Sequence, residues 1–411
     1  MRALYSFSIN CYRLLITAAS LFNPKAKQWV KGRKNLFPRL ESDLKLLKKN
    51  GSEVIWFHCA SLGEFEQGRP LIEKYKEIHP SALIVLTFFS PSGYEVRKNY
   101  KGADIICYLP ADTISNARKF IWIIKPEKAF FVKYEFWFNY LHELKTKNIP
   151  TYLVSGIFRD GQHFFKPYGS WFRSQLKSFT HFFLQDQHSL DLLDAIDFKN
   201  TTVAGDTRFD RVAAIAETVK SIDLIKDFSG GRPIFIGGST WPEDEKIIAA
   251  SGLKENFKVI IAPHEVHSSH ITFIENEFQR NSLNTLCFSK ADKINVSTAD
   301  VLIIDNIGML SSLYQYAVIA YIGGGFGKGI HNILEAATFG MPVIFGPNYE
   351  KFTEAKELIR AGGAFTISDG LSLDNILALL KDGQVLKMAS HVSKHYVQSR
   401  KGATNKILEK I

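Results

Sequence analysis

The chain has 411 residues, 45% of them hydrophobic and 22% charged, which excludes a disordered protein and calls for two domains of about 200 residues each. Four scattered cysteines (Cys11, Cys59, Cys107, Cys287) with no CxxC pair exclude a disulfide scaffold and a zinc knuckle. Of the net charge of +10, residues 1–50 supply +9, from eleven Lys/Arg against Glu41 and Asp43; a basic collar of this kind, without basic residues spread over a domain face, does not point to nucleic acid as a partner.

The collar follows an apolar stretch, residues 3–22, ALYSFSINCYRLLITAASLF. A cleaved signal peptide would be followed by a secreted, disulfide-rich body, and none follows. A spanning helix has the right length, but Asn10 and Arg13 near its middle are costly there. A helix lying in the membrane interface tolerates both and suits the basic collar, so residues 1–24 are read as a membrane-association segment, spanning or lying flat, with an anionic membrane surface as partner. If it spans, the following positive charge keeps the body in the cytoplasm.

From residue 53, short β-rich apolar runs alternate with amphipathic segments. EVIWFH, ALIVLTFF, ADIICYL, KAFFVKY and PTYLVSG are strands of a first domain, and a short strand precedes Arg208. IFIGGS, FKVIIAP, VLIID, AVIAYIGG and PVIFG form a second series. Two such series predict an α/β protein of two Rossmann-like domains facing one another across a cleft, residues 25–217 and 218–411, with the boundary between Arg211 and Gly230.

Sites in such sheets lie at the carboxyl ends of strands. After the first strand comes SLGEFEQG, with Ser61 as helix cap and Glu64 three residues on; this spacing is a capping box, and equally places a general base at a strand end. Glu135, in KYEFWFN, sits among aromatics, where a carboxylate is either ion-paired at the surface or raised in pKa. Arg208, in GDTRFDR, offers a bidentate fork to phosphate. The run His264-Glu-Val-His267 is one residue short of zincin spacing, so His264 reads better as a hydrogen-bonding group than as a metal ligand, and metal-free chemistry is expected. Gly308, Met309 and Leu310 occupy a strand-to-helix turn. The loop Gly323 to Gly329, between a strand and a helix beginning near His331-Asn332, suits a nucleotide phosphate, although it is neither a Walker A loop nor GxGxxG.

Together these motifs resemble the Kdo transferases, which move 3-deoxy-D-manno-octulosonic acid (Kdo) from CMP-Kdo to lipid A precursors in Gram-negative bacteria. The resemblance rests on Ala60-Ser-Leu-Gly-Glu64, Leu109-Pro-Ala-Asp112, Glu135 with Trp137 and Asn139, Gly205-Asp-Thr-Arg-Phe-Asp210, and Gly329-Ile-His-Asn-Ile-Leu-Glu-Ala336. Lys133, Phe138, His264, Met309, Ile330 and Ala336 depart from the family pattern. The resemblance implies a GT-B fold, an inverting and metal-independent transfer without cofactor, and a site at the cytoplasmic face of the inner membrane. It assigns catalysis to Glu64, Glu135 and Arg208, and donor binding to Pro263, His264, Gly308, Met309, Leu310, Asn332, Ile333, Leu334 and Glu335. The last helix would cross back to the first domain. A UDP-sugar transferase and a catalytically silent nucleotide-sugar or lipid-binding module are the alternatives on the same scaffold.

Overall fold

Val-Ile-Trp-Phe-His at Val54–His58 is buried at every position. That pattern requires cover on both faces, as a parallel sheet clad by helices provides. In the computed structural model, which describes residues 1–48 and 51–411, this run is β1. β2 (Leu83–Phe88), β3 (Ile105–Tyr108), β4 (Lys128–Val132), β5 (Thr151–Gly156), β6 (His181–Leu184) and β7 (Thr201–Val203) complete a seven-stranded sheet in the order β3-β2-β1-β4-β5-β6-β7. Every pairing in it is parallel. The order reverses between β1 and β4, which pair directly with His58 opposite Phe131. The crevice at such a reversal is where doubly wound sheets bind ligands.

A second sheet contains β8 (Ile234–Thr240), β9 (Lys258–Pro263), β10 (Thr285–Cys287), β11 (Val301–Ile303), β12 (Ala317–Ile322), β13 (Val343–Phe345) and β14 (Ala364–Thr366). Its order, β10-β11-β9-β8-β12-β13-β14, reverses between β8 and β12. The two sheets belong to separate compact units, residues 1–211 with 401–411, and residues 212–400. The terminal helix Ala403–Leu408 therefore belongs to the first unit. There Asp210 accepts hydrogen bonds from the Gly402 and Thr404 amides and the Thr404 hydroxyl, and Ile407 is fully buried in the core.

Three helices precede β1: α1 (Arg2–Ala19), α2 (Pro24–Gly32) and α3 (Leu36–Leu47). α3 buries Leu36, Leu40 and Leu44, the i, i+4, i+8 stripe of an amphipathic helix. α1 fully buries no residue; it is held by Tyr5, which packs on Phe138 with ring centroids 4.9 Å apart, and by polar groups. Tyr5 donates to Asp112 Oδ2 at 2.6 Å, and Arg2 Nε to Asn139 Oδ1 at 3.0 Å. Leu14, Leu15, Leu21 and Phe22, on α1 and just after it, stand exposed. Among the described residues no helix is long and apolar enough to cross a membrane.

Candidate active site

β1 ends at His58, and a turn of three residues leads into α4 (Leu62–Ile78). Glu64 lies in its first turn and folds back on Ser61, whose backbone N–H and hydroxyl both donate to Glu64 Oε2, at 2.7 and 3.0 Å. The capping arrangement read from the sequence is thus present, yet it engages only one oxygen, and no described residue hydrogen-bonds Oε1. Glu64 is only 6% exposed. Burial first, then the nearby Glu135 carboxylate, push its pKa up to about 7, against the pull of the Ser61 hydrogen bonds. Capping and proton transfer are compatible roles for this side chain.

Glu135 follows β4 by three residues and is held by Trp137, whose indole N–H donates to Oε2 at 2.6 Å. Its side chain is largely covered and faces the ring of His58, Nε2 lying 3.5 Å from Oε2. That distance is beyond a good hydrogen bond. His58 is completely buried, and its Nδ1 pairs with Thr87 Oγ1 at 2.9 Å, the hydroxyl that also takes the Trp56 indole N–H at 2.9 Å. Between β4 and Glu135, Lys133 adopts φ +72°, a left-handed conformation costly for a residue other than glycine. Its charge acts on Glu64 and opposes the upward shift.

Arg208 opens the helix Arg208–Thr218 two residues after Asp206, with Nη2 2.7 Å and Nε 2.8 Å from Asp206 Oδ2. The neighbouring Thr207 hydroxyl donates to the carbonyl of Gln67, one turn beyond Glu64 on α4. Glu64 and Glu135 thus come together at the carboxyl ends of β1 and β4, while Arg208, after β7, is tied to α4 through its neighbour Thr207. Asp112 and Asn139 do different work. Asp112 accepts the amides of Asn139 and Tyr140, so these motif residues bind the start of the helix Phe138–Thr146 and anchor α1.

In the second unit, Pro263 and His264 lie at the end of β9, and Trp241 directly after β8. His264 stacks on His331 with centroids 4.3 Å apart, and on Trp241 at 4.8 Å. The Trp241 indole N–H donates to His331 Nε2 at 3.1 Å, which makes Nε2 the acceptor and leaves the ring proton on Nδ1. Burial first, then His264, drive the His331 pKa down to about 4, so it is neutral at physiological pH. Asn332 Nδ2 donates to Glu335 Oε1 at 3.1 Å, and Asn332 Oδ1 accepts the Leu334 amide. Gly308, with φ +97°, and Met309 lead into the short helix Leu310–Leu313 after β11.

Several expectations need correction. The glycine loop engages four of its own amides within the protein. Gly323 N–H is taken by Gly238 O, Gly324 N–H by Asp244 Oδ2 at 2.9 Å, and those of Gly327 and Gly329 by Gly324 O. The loop closes on itself because its turns are tight: a Cβ at Gly324, φ +92°, would stand 2.6 Å from Gly329 O. The helix after it begins only at Leu334 and runs four residues. Ile333 and Leu334 are 1% and 0% exposed, so their side chains belong to the core. His267 caps the helix Ser268–Arg280, and His270 is buried against Glu245 at 2.8 Å. The sequence also passed over His58, Trp241 and Asp244; polar or aromatic groups at the ends of β1 and β8 were the available signal.

Two parallel α/β units with ionisable and aromatic groups at their switch points define the class of GT-B-like two-domain proteins. UDP-GlcNAc 2-epimerase from Neisseria meningitidis shares this fold, with a TM-score of 0.60 over 87% of this chain and 98% of that one at 15% identity. The family model of the 3-deoxy-D-manno-octulosonic-acid transferases matches residues 34–211. The 3-deoxy-D-manno-octulosonic acid transferase of Rickettsia prowazekii is 28% identical over 363 residues, 85% of this chain and 76% of the relative. That of Aquifex aeolicus is 28% identical over 324 residues, 77% and 82% of the two chains. Over most of its length the chain is similar to these transferases, and its residues 34–211 match their family's domain.

Proposed function

We propose that the protein transfers Kdo from CMP-Kdo to a lipid A precursor with inversion at the anomeric carbon and without a metal. The supporting observation is Glu64: a buried carboxylate with one oxygen capping a helix, the other without a hydrogen-bond partner among the described residues, and a pKa near neutrality. Ionised, it takes the proton of an acceptor hydroxyl as that oxygen attacks the anomeric carbon, and CMP departs as an anion. Arg208 and the Glu135–Trp137 pair supply fixed charge beside the reacting centre, where an oxocarbenium-like transition state gains most from preorganised groups. The planar rings of Trp241, His264 and His331, beside Asn332 and Glu335, suit a nucleotide. The exposed apolar residues of α1 and the basic collar suit work at the cytoplasmic face of an anionic inner membrane.

The test is a donor screen. Transfer to a lipid A precursor is measured with EDTA present, offering CMP-Kdo generated in situ or UDP-sugars. Transfer from CMP-Kdo alone supports the reading. Activity only with a UDP-sugar, or only without EDTA, overturns the donor or the metal-free chemistry respectively, and donor binding without turnover leaves the non-catalytic module.

A further inference from the structure

His58 closes β1 and is completely buried, yet among the described residues its Nε2 has no hydrogen-bond partner. Buried polar atoms are nearly always paired, so an orphan at the end of a central strand calls for an explanation. This atom faces the carboxylate of Glu135, with Oε2 3.5 Å away. Phe131 of β4 and Trp137 pack edge-on against the ring, with centroids 5.8 and 5.9 Å distant. Packing therefore fixes the plane of the imidazole and keeps Nε2 toward Glu135.

Which nitrogen carries the proton follows from the other side of the ring. Nδ1 lies 2.9 Å from Thr87 Oγ1, an oxygen that already accepts the Trp56 indole N–H at 2.9 Å. The single hydroxyl proton of Thr87 has two acceptors within reach, Nδ1 at 2.9 Å and the Phe57 carbonyl at 3.3 Å. The second distance is long for an O–H donor, so the proton goes to Nδ1. Nδ1 is then the acceptor, and the ring proton sits on Nε2. The opposite tautomer would set a bare lone pair against a carboxylate with no proton between them. Since the Trp137 indole also donates to Glu135 Oε2, at 2.6 Å, two N–H groups converge on one oxygen.

We propose that His58 is a positioning residue for the transfer reaction, its Nε2–H and the Trp137 indole together holding the Glu135 carboxylate beside Glu64. The 3.5 Å contact is long, as hydrogen bonds of a site commonly are before substrate tightens them. The place of Glu135 matters because, after burial, its charge is the main cause of the raised Glu64 pKa, opposed by the Ser61 hydrogen bonds and by Lys133 at the end of β4. Cys59, after β1, and Tyr134, beside Glu135, are the other titratable groups on which both carboxylates act. His58 thus works on the base at one remove, through Glu135. Its effect on transfer rests on the proposed function; its tautomer and its effect on Glu64 do not.

Two variants separate this role from support of Thr87, because a glutamine amide nitrogen reaches the place of Nε2 and an asparagine amide that of Nδ1. His58→Asn keeps only the Thr87 side and should lose about 10- to 100-fold in kcat/KM for Kdo transfer, the scale of a misplaced group. His58→Gln restores a donor toward Glu135 and should recover most of that loss. In His58→Asn the inflection at about 7 should also fall, by about one unit, since the charge of Glu135 is no longer held against Glu64. An asparagine variant more active than the glutamine one, or an unmoved inflection in it, overturns the proposal. A second measurement needs no variant: 15N NMR of the histidine-labelled full chain, with the His58 ring assigned by its proximity to Phe131 and Trp137, should show the proton on Nε2. A bare Nε2 overturns the proposal. The titration of Glu64 is followed in both variants by 13C NMR of its carboxyl, without turnover. A chain that transfers no Kdo but keeps the Nε2 proton and the Glu64 shift sinks the proposed function and leaves this inference standing, and the reverse result leaves the transfer reaction intact.

Discussion

One oxygen of Glu64 caps α4 while the other has no hydrogen-bond partner among the described residues, and this division has a thermodynamic signature. Its pKa is raised from 4.5 in an unfolded chain to about 7, so folding disfavours the ionised form. The sign follows from proton binding: between these values the folded state holds the proton that the unfolded state has released. Stability attributable to Glu64 is therefore present below pH 4.5 and lost as pH rises to about 7. Glu64→Gln keeps an oxygen for the Ser61 amide and removes the charge. At pH 8 the variant should be more stable than wild type by on the order of 1–3 kcal/mol, and at pH 4 the two should match; thermal unfolding at both values checks this, and a destabilised variant at pH 8 would mean that Glu64 serves only as a cap. The sequence showed the Ser61–Glu64 spacing but could not separate cap from base, because burial and the approach of Glu135 come from β4, some seventy residues on. His58 escaped notice for the same reason: its partners, Thr87 and Glu135, arrive only once β2 and β4 flank β1.

At the scale of elements, the central strands were legible because each is a long, wholly apolar run, the mark of a parallel sheet buried on both faces. β10 and β14 were not; each is a three-residue strand at a sheet edge, as TLC and AFT, too short to carry a pattern. β6, HFFL, merges into an aromatic-rich stretch without alternation. In the glycine loop, glycine content reports only that the backbone turns tightly. Whether the turns leave amides outward depends on Asp244 and Gly238, which lie in another part of the chain. The terminal helix makes a prediction of its own. Ile407 is buried against the first unit, so Ile407→Ala should cost about 2–4 kcal/mol. A urea titration followed by the fluorescence of this unit's tryptophans should report that loss, whereas a change below about 0.5 kcal/mol would show that the helix is not part of its core.

For the whole molecule, the charge map was the most informative feature of composition: +9 of +10 lies in residues 1–50, and α1 fully buries none of its residues. Apolar side chains that fold into no core need another surface. Leu14 and Leu15, 72% and 71% exposed, can be replaced without touching the contacts of Arg2, Tyr5 and Asp112. Leu14→Glu/Leu15→Glu should retain the wild-type unfolding midpoint and lose binding to anionic vesicles by at least about tenfold, a loss that persists where salt screens the added charge. Unchanged vesicle binding would remove the membrane role of α1. The division into two units was visible as two series of strands, although the structural boundary at 211/212 and the return of residues 401–411 to the first unit depend on contacts that no local pattern reveals.

The central claim is that Glu64 is the general base, and the pH dependence of kcat/KM for Kdo transfer, wild type against Glu64→Gln with EDTA present, tests it most directly. The account predicts a wild-type rate that rises with pH through an inflection at about 7 and levels above it, and a variant slower by about 100-fold or more that lacks this inflection. A variant with wild-type rate and the same pH profile would contradict the assignment and leave Glu64 as the cap of α4 alone.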